Sequence, residues 1–199
     1  MSHVISFVTG NQNKINEVAQ IWATISPPKN NIEIRAVALD LPEYQGDAIE
    51  IAKQKCAEAC KITDGPTLIE DTSLYFPEMN GLPGPYIKWF EISLGLEGIV
   101  KLNRTMCLDN TAQARCVFCY CDGPKSQPVA FSHTVIGKIV DPLGNRTFGW
   151  DAIFEPAGCE VTYGQMNAAA KAMHSPRNQA LVKLRTYLDS KEWKAEDDD

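Results

Sequence analysis

Six residues set between an apolar run and a helical pattern, Thr9-Gly10-Asn11-Gln12-Asn13-Lys14, have the composition of an anion-binding turn. The first N–H groups of a helix lack intrahelical partners and lie at the positive end of its dipole, so they receive anions well. Gly10 permits close backbone approach, Asn11 or Asn13 can cap the helix, and Lys14 adds a cation at the mouth. By itself the turn points to phosphate and no further; an ordinary strand-to-helix connection with a solvated lysine reads the same way. Carboxylates form the second group. Glu43 lies in the acidic loop Asp40–Asp47, and Glu70-Asp71-Thr72 closes a β-prone run. Next to Lys14 and Lys55 they suit Mg²⁺, a hard cation that takes oxygen ligands from protein and phosphate together. Their plainer reading is as surface carboxylates at a loop and a strand end. Aromatic residues form the third group. Glycine and aspartate interrupt Phe148-Gly149-Trp150-Asp151, which suits a pocket for a stacked base, a contact worth ~1–3 kcal/mol, better than plain core. Trp89 and Phe90, by contrast, are expected to pack in the core.

The elements that must position these groups follow from periodicity. Val4–Val8 reads as a buried strand, and Ile15, Val18, Ala19, Ile21 and Trp22 recur at helical spacing after it. A strand over Ile32–Val37 follows the breaker Ser26–Asn30; then come a helix over about Ala48–Ile62 and a strand over Thr67–Thr72. This β-α-β-α-β order predicts an α/β fold with parallel strands. Beyond the rigid loop Gly81–Pro85, helical patterning runs to about Arg104. Gln113–Cys121 and Val129–Val140, joined by Asp122–Lys125, read as a hairpin, so the sheet is expected to be mixed. Phe148–Asp151 is expected to open a further short β segment, and an amphipathic helix to run from Pro176 to Ser190. One unit over residues 1–199 is expected, with a hairpin lobe near 111–141 and a disordered acidic tail at 195–199. Ligands of open α/β sheets sit beyond the carboxyl ends of the strands, so the polar ends of the first and third strands should face one cleft.

Composition narrows the partners. The chain has 199 residues, 44% of them hydrophobic, and a formal net charge of −6. An acidic chain repels polyanions, which argues against nucleic acid but leaves room for a small phosphorylated ligand. No apolar run approaches the ~20 residues that cross a bilayer, and the N-terminus has no basic-then-apolar signal pattern, so a cytoplasmic address without membrane contact is expected. The seven cysteines read as reduced thiols. Cys119 and Cys121 share one strand face while Cys116 takes the other, and no second ligand pair follows at zinc spacing, which favours small buried hydrophobes over a metal site. Phosphate-loop and dinucleotide fingerprints are absent, His3, His133 and His174 lack metal-ligand spacing, and no Gly-x-Ser-x-Gly elbow occurs.

Taken together, the motifs resemble the inosine triphosphate pyrophosphatase family, which hydrolyses ITP, dITP and XTP to the monophosphate and pyrophosphate. The matching stretches are Phe7–Asn11 with Lys14, Leu41–Gly46, Gln54–Cys56, Glu70–Thr72, Gly81–Phe90 and Phe148–Asp151, in the family's order. The resemblance implies an elongated, mixed α/β fold of two lobes around a central cleft, usually a homodimer, that requires Mg²⁺, with Mn²⁺ as a substitute. Carried onto matching positions, Thr9, Gly10, Asn11, Gln12, Asn13, Lys14 and Lys55 would hold the triphosphate of the substrate. Glu43 and Asp71 would serve the metal, and Asp71, with Thr72 beside it, would be the base. Phe148, Gly149, Trp150 and Asp151 would form the purine pocket, joined by Lys171 and Arg177. The chain departs from the pattern near its C-terminus. Where the family commonly has Glu-Lys-Asn and Ser-His-Arg, it has Ala170-Lys171-Ala172 and Ser175-Pro176-Arg177. Ser175-Pro176 is a good helix start, and it puts Arg177 in a first turn where the dipole disfavours a cation unless the guanidinium faces a ligand. Two rival readings keep parts of this set: a nucleotide-binding sensor without turnover, which needs neither Glu43 nor Asp71, and a pyrophosphatase for other modified nucleotides. A scaffold role leaves the polar clusters at strand ends without a purpose.

Overall fold

Ile5 and Phe7 are buried on β1 (His3–Val8), an almost wholly apolar strand, and it is followed by α1 (Gln12–Thr24), β2 (Ile32–Val37), α2 (Ala48–Thr63) and β3 (Thr67–Tyr75). The computed structural model describes residues 3–25 and 31–193. The breaker Ser26–Asn30 and the acidic tail 195–199 lie outside the described residues. After β3 come the short β4 (Pro83–Gly84), α3 (Ile87–Met106), the hairpin β5 (Thr111–Cys121) and β6 (Val129–Ile139), β7 (Phe154–Pro156), α4 (Ala168–His174) and α5 (Pro176–Ser190). The seven strands form one mixed sheet in the order β2-β1-β3-β5-β6-β7, with β4 on β3. β1 pairs in parallel with β2 and β3, and the remaining ladders are antiparallel.

Side-chain alternation on β5 divides the core. Cys116, Phe118 and Tyr120 point to one face, against Val18 and Ile21 of α1 and Ala180, Leu181, Leu184 and Leu188 of α5. Val117, Cys119 and Cys121 point to the other, against Ala52, Cys56, Ala59 and Cys60 of α2. The cysteines are therefore packing groups on two faces: the Cys56 thiol donates to the Cys119 carbonyl at 3.1 Å, and Cys60 to that of Gly65 at 3.2 Å. A third cluster lies toward β4, where Leu74, Phe76, Ile87 and Ile99 meet Trp150, Ile153, Phe154 and Tyr163.

Four sequence expectations need correcting. Ala19 lies on the exposed face of α1, where only Val18 and Ile21 are buried. Phe148–Asp151 is not β: a turn leads into a 3₁₀ segment at Asp151–Ile153, and the strand starts at Phe154. Trp89 is 51% exposed, because only its neighbours Ile87 and Phe90 reach the core. Finally, β3 does not end at Thr72 but runs to Tyr75, held by a nine-residue ladder with β5. That last difference shapes the molecule. β1 stops at Val8 and its ladder with β3 ends at Phe7–Leu68, so Glu70, Asp71 and Thr72 lie on a stretch of β3 whose β1 side is open.

Candidate active site

The turn Thr9–Lys14 lies in the gap left where β1 stops. Asn11, not Asn13, caps α1: its Oδ1 accepts from the N–H groups of Asn13 at 3.0 Å and Lys14 at 3.2 Å, and its own N–H donates to Thr9 Oγ1 at 3.1 Å. Thr9, Gly10, Asn11, Gln12 and Lys14 line the cleft that opens there, and Asn13 does not. This cleft has a volume of about 760 Å³, within the ~300–1,000 Å³ common for small-molecule sites.

Lys14 does not stand free at the mouth. One turn into α1, it reaches back to β3, with Nζ 2.9 Å from Glu70 Oε2 and 3.7 Å from Asp71 Oδ1, and it donates to the Glu70 carbonyl at 3.1 Å. Burial alone would lower its pKa, but the charges of Glu70 and Asp71 outweigh that and raise it, so the ammonium stays charged. Lys55 reaches the same carboxylate from α2, its Nζ 3.6 Å from Asp71 Oδ2 and 2.6 Å from Glu43 Oε2. Lys88 of α3 pairs with the other oxygen of Glu43 at 3.1 Å. The hydrogen bond from Lys55 is the main reason Glu43 ionises below its ordinary range; partial burial opposes it and Lys88 assists.

Glu70 anchors the floor. Its side chain is fully buried, and burial would push its carboxyl up, yet Arg177 at 3.1 Å and Lys14 together hold it down to about 2, with the Cys116 thiol donating to Oε1 at 3.1 Å. Arg177 is 3% exposed. It occupies the first turn of α5, whose cap is Ser175 Oγ accepting from the Arg177 N–H at 3.1 Å. A cation is unfavourable there, and what offsets the dipole is a carboxylate on either side, Glu70 and Glu17. Arg177 is thus neither solvated nor free to meet a ligand without exchanging partners.

Glu17, three residues after Lys14 on α1, also binds Lys171 at 2.5 Å, and Lys171 contacts Asp151. Lys171 Nζ lies 4.2 Å and Arg177 Cζ 5.6 Å from the centre of the Phe148 ring, so two cations lie against that ring. Trp150 is buried edge-to-face on Phe154, 5.7 Å between centroids. Burial raises the Asp151 pKa, which the charge of Lys171 offsets only in part. Thr72, Phe148, Gly149 and Trp150 line both the main cleft and a small adjoining cavity of about 50 Å³, which Asp151, Lys171 and Arg177 close off. That space holds a few waters and no purine.

The structure therefore brings Lys14, Lys55, Glu43, Asp71, Thr72 and Phe148–Trp150 onto one cavity, and sets Asp151, Lys171 and Arg177 behind it in an ion-pair network. Sequence reasoning missed Glu17, Lys88 and Glu91, and it counted Glu70 among the carboxylates of the cleft without seeing its buried pairing with Lys14 and Arg177. A signal for Glu17 existed: a cation in a helix's first turn needs a nearby anion, and Glu17 shares a helix face with Lys14. As donors for an ion, Glu43 and Asp71 supply two hard carboxylates. Among the described residues no group of three or more His, Cys, Asp or Glu could hold a metal. Such a pair fits Mg²⁺, which uses one or two carboxylates and completes its shell with phosphate oxygens and water, and does not fit an all-protein cage. No helix among the described residues is long and apolar enough to cross a membrane.

The chain is 44% identical over 190 residues to the inosine triphosphate pyrophosphatase of Tuber melanosporum, covering 96% of this chain and 99% of that protein. It is 45% identical over 184 residues to the protein of the same name from Puccinia graminis f. sp. tritici, covering 92% and 95%. Of solved structures, a HAM1 protein from Coxiella burnetii shares the fold, with a TM-score of 0.81 at 22% identity over 95% of this chain and 100% of that one. The model of the Ham1 family matches residues 5–187. With both the family model and these relatives spanning nearly its whole length, the chain belongs to the Ham1 family.

Proposed function

We propose that this protein hydrolyses nonstandard purine nucleoside triphosphates (ITP, dITP and XTP) to the nucleoside monophosphate and pyrophosphate, clearing deaminated purines from the nucleotide pool. The observation that carries this reading is the convergence of Lys14 and Lys55 on Asp71, at the foot of a cleft whose far wall is Phe148 and Trp150. The names of the relatives at 44–45% identity support it.

In this reading Thr9, Gly10, Asn11, Gln12, Lys14 and Lys55 hold the triphosphate, and Lys55 exchanges Glu43 for a phosphate oxygen as the substrate enters. Asn13 contributes through the turn rather than by contact. Glu43 and Asp71 hold Mg²⁺, with Mn²⁺ as a substitute; when bound, the cation supplies Lewis-acid neutralisation of the phosphate charge. Asp71 orients and deprotonates the attacking water, a role worth ~10²–10⁴-fold in rate. Lys14, Lys55 and the α1 N-terminus stabilise the departing pyrophosphate, because their charge is already aimed where negative charge accumulates. The purine stacks on Phe148 and Trp150 and reaches Lys171 and Arg177 once Lys171 separates from Glu17 and Asp151 and Arg177 exchanges its pair with Glu17 for the base. A six-position carbonyl then receives donors, whereas the amino group of adenine meets donor with donor, a mismatch that such sites reject by ~10⁴-fold or more. A cytoplasmic address and a homodimer belong to the same reading.

Pyrophosphate release across ITP, dITP, XTP, GTP and ATP, with and without Mg²⁺, tests the proposal. Fast, Mg²⁺-dependent release from the first three is expected. Binding of ITP without release would replace the enzyme with a sensor, and comparable kcat/KM for ATP and ITP would remove the purine selectivity. Light scattering reads the oligomeric state.

A further inference from the structure

The loop that carries Glu43 has little structure of its own. Residues 38–47 form neither helix nor strand. Leu39 and Leu41 pack on the α2 side of the sheet, and at the far end Asp47 caps α2, its Oδ1 accepting from the Ile49 N–H at 2.8 Å. Between those anchors, among the described residues, the hydrogen bonds on residues 42–46 come from three side chains. Lys55 and Lys88 bind the Glu43 carboxylate, and the Tyr86 hydroxyl, at the start of α3, meets Gly46. That hydroxyl accepts from the Gly46 N–H at 3.1 Å and can donate to the Gly46 carbonyl at 3.5 Å. Gly46 has a φ of 141°, which residues with a side chain rarely adopt, so the loop bends there in a way that needs glycine. Tyr86 itself is fixed. Its N–H donates to the Pro83 carbonyl at 3.1 Å, its carbonyl accepts from the Trp89 N–H at 2.9 Å, and Ile87 beside it is buried.

The three contacts respond differently to a ligand. A divalent cation on Glu43 repels the ammonium groups of Lys55 and Lys88, and Lys55 is also drawn to phosphate. Both ion pairs therefore weaken as metal and triphosphate enter. The contact between Tyr86 and Gly46 is neutral and persists. Without it the stretch would be ordered only by lysines that the ligand takes away, and holding Glu43 toward Asp71 would cost conformational entropy at the moment of binding. We propose that Tyr86 is a positioning residue: its hydroxyl clasps Gly46, keeps the loop in place when the lysines let go, and so sets how much Mg²⁺ the protein needs. This rests on the proposed function, because it needs Glu43 to hold the metal.

Tyr86→Phe deletes the hydroxyl and keeps the ring. The midpoint of the Mg²⁺ dependence of pyrophosphate release from ITP should rise about three- to tenfold, the worth of one neutral hydrogen bond. Saturating Mg²⁺ should restore the parent's kcat, with KM for ITP unchanged there. In the metal-free protein, amide exchange across residues 42–46 should quicken while the melting temperature holds. An unshifted Mg²⁺ midpoint overturns the inference, as does unchanged exchange in the loop. So does a lowered kcat that excess Mg²⁺ leaves uncorrected, since Tyr86 would then act on the substrate or on the fold rather than through Glu43. If no triphosphate releases pyrophosphate, the proposed function fails separately. Mn²⁺ binding to parent and variant, read by electron paramagnetic resonance, then still tests Tyr86: weaker binding by the variant supports its role, and equal affinities, or no binding by either protein, overturn it.

Discussion

Lys55 stands between Glu43 and Asp71, 2.6 Å from an oxygen of one and 3.6 Å from an oxygen of the other. A single ammonium therefore ties the loop before α2 to the exposed stretch of β3, and it holds two carboxylates at one cavity that would otherwise repel each other. In the proposed reaction this is a resting arrangement. The lysine balances the carboxylates until phosphate arrives and then has a stronger partner.

Lys55→Met should lower kcat/KM for ITP by about a hundredfold, the usual effect of removing one preorganised donor from a developing anion. Stability should change by about 1 kcal/mol or less, since the pair with Glu43 is partly exposed. Steady-state kinetics and a denaturant melt check the two halves separately. Retained activity would show that Lys55 only organises the free protein.

Asp71→Asn keeps the shape of the side chain and removes its charge and basicity. Nucleotide binding should remain measurable while kcat falls by ~10²–10⁴-fold. A near-normal kcat in this variant rules Asp71 out as the base.

Glu70 governs acid stability. Its carboxyl is depressed to about 2 from an ordinary 4.5: burial works against ionisation, and Arg177 and Lys14 overcome it. A depressed folded-state pKa means the contribution is whole above pH 4.5 and is lost as pH falls from there toward 2. Glu70→Gln should cost about 3 kcal/mol at pH 7, because Arg177 and Lys14 lose a buried partner. The difference between variant and parent should then shrink as pH drops through that window. Urea titrations at pH 7, 5, 4 and 3 measure it, and a gap that stays constant with pH contradicts the assignment.

Gly137 on β6 opposes Pro156 on β7, and a Cβ there would stand 2.4 Å from the Glu155 carbonyl oxygen and 2.6 Å from Phe154 Cζ. Phe154 supports Trp150 from behind. Gly137→Ala should cost about 1–3 kcal/mol from overpacking and raise KM for ITP by displacing Trp150. Thermal melting and kinetics check both, and an unshifted melting temperature would mean that β7 moves away without strain.

Much of this architecture was legible in the chain itself. Strand and helix periodicity located β1, β2, α2, the β5–β6 hairpin and α5 to within a few residues, because each buries one face and its apolar spacing repeats faithfully. α4 escaped notice: Ala168–His174 is seven residues long, with little apolar pattern. The motif residues were legible as well, since the turn Thr9–Lys14, the pair Glu70-Asp71 and the segment Phe148–Asp151 carry their chemistry in their composition.

Pairing, in contrast, belonged to the tertiary structure. Nothing local says that β3 continues past Thr72, because the residues that extend it pair with β5 partners 38 to 42 positions further along the chain. Nor does the chain announce that Arg177 is buried between Glu17 and Glu70, separated from it by 160 and 107 residues, or that Glu91 is left without a partner beside Gly149. Residue type determines what a side chain can do, and the sequence by itself determined that here. Whether a charge is neutralised, buried or left open to a ligand depends on distances that only the packed sheet and helices establish.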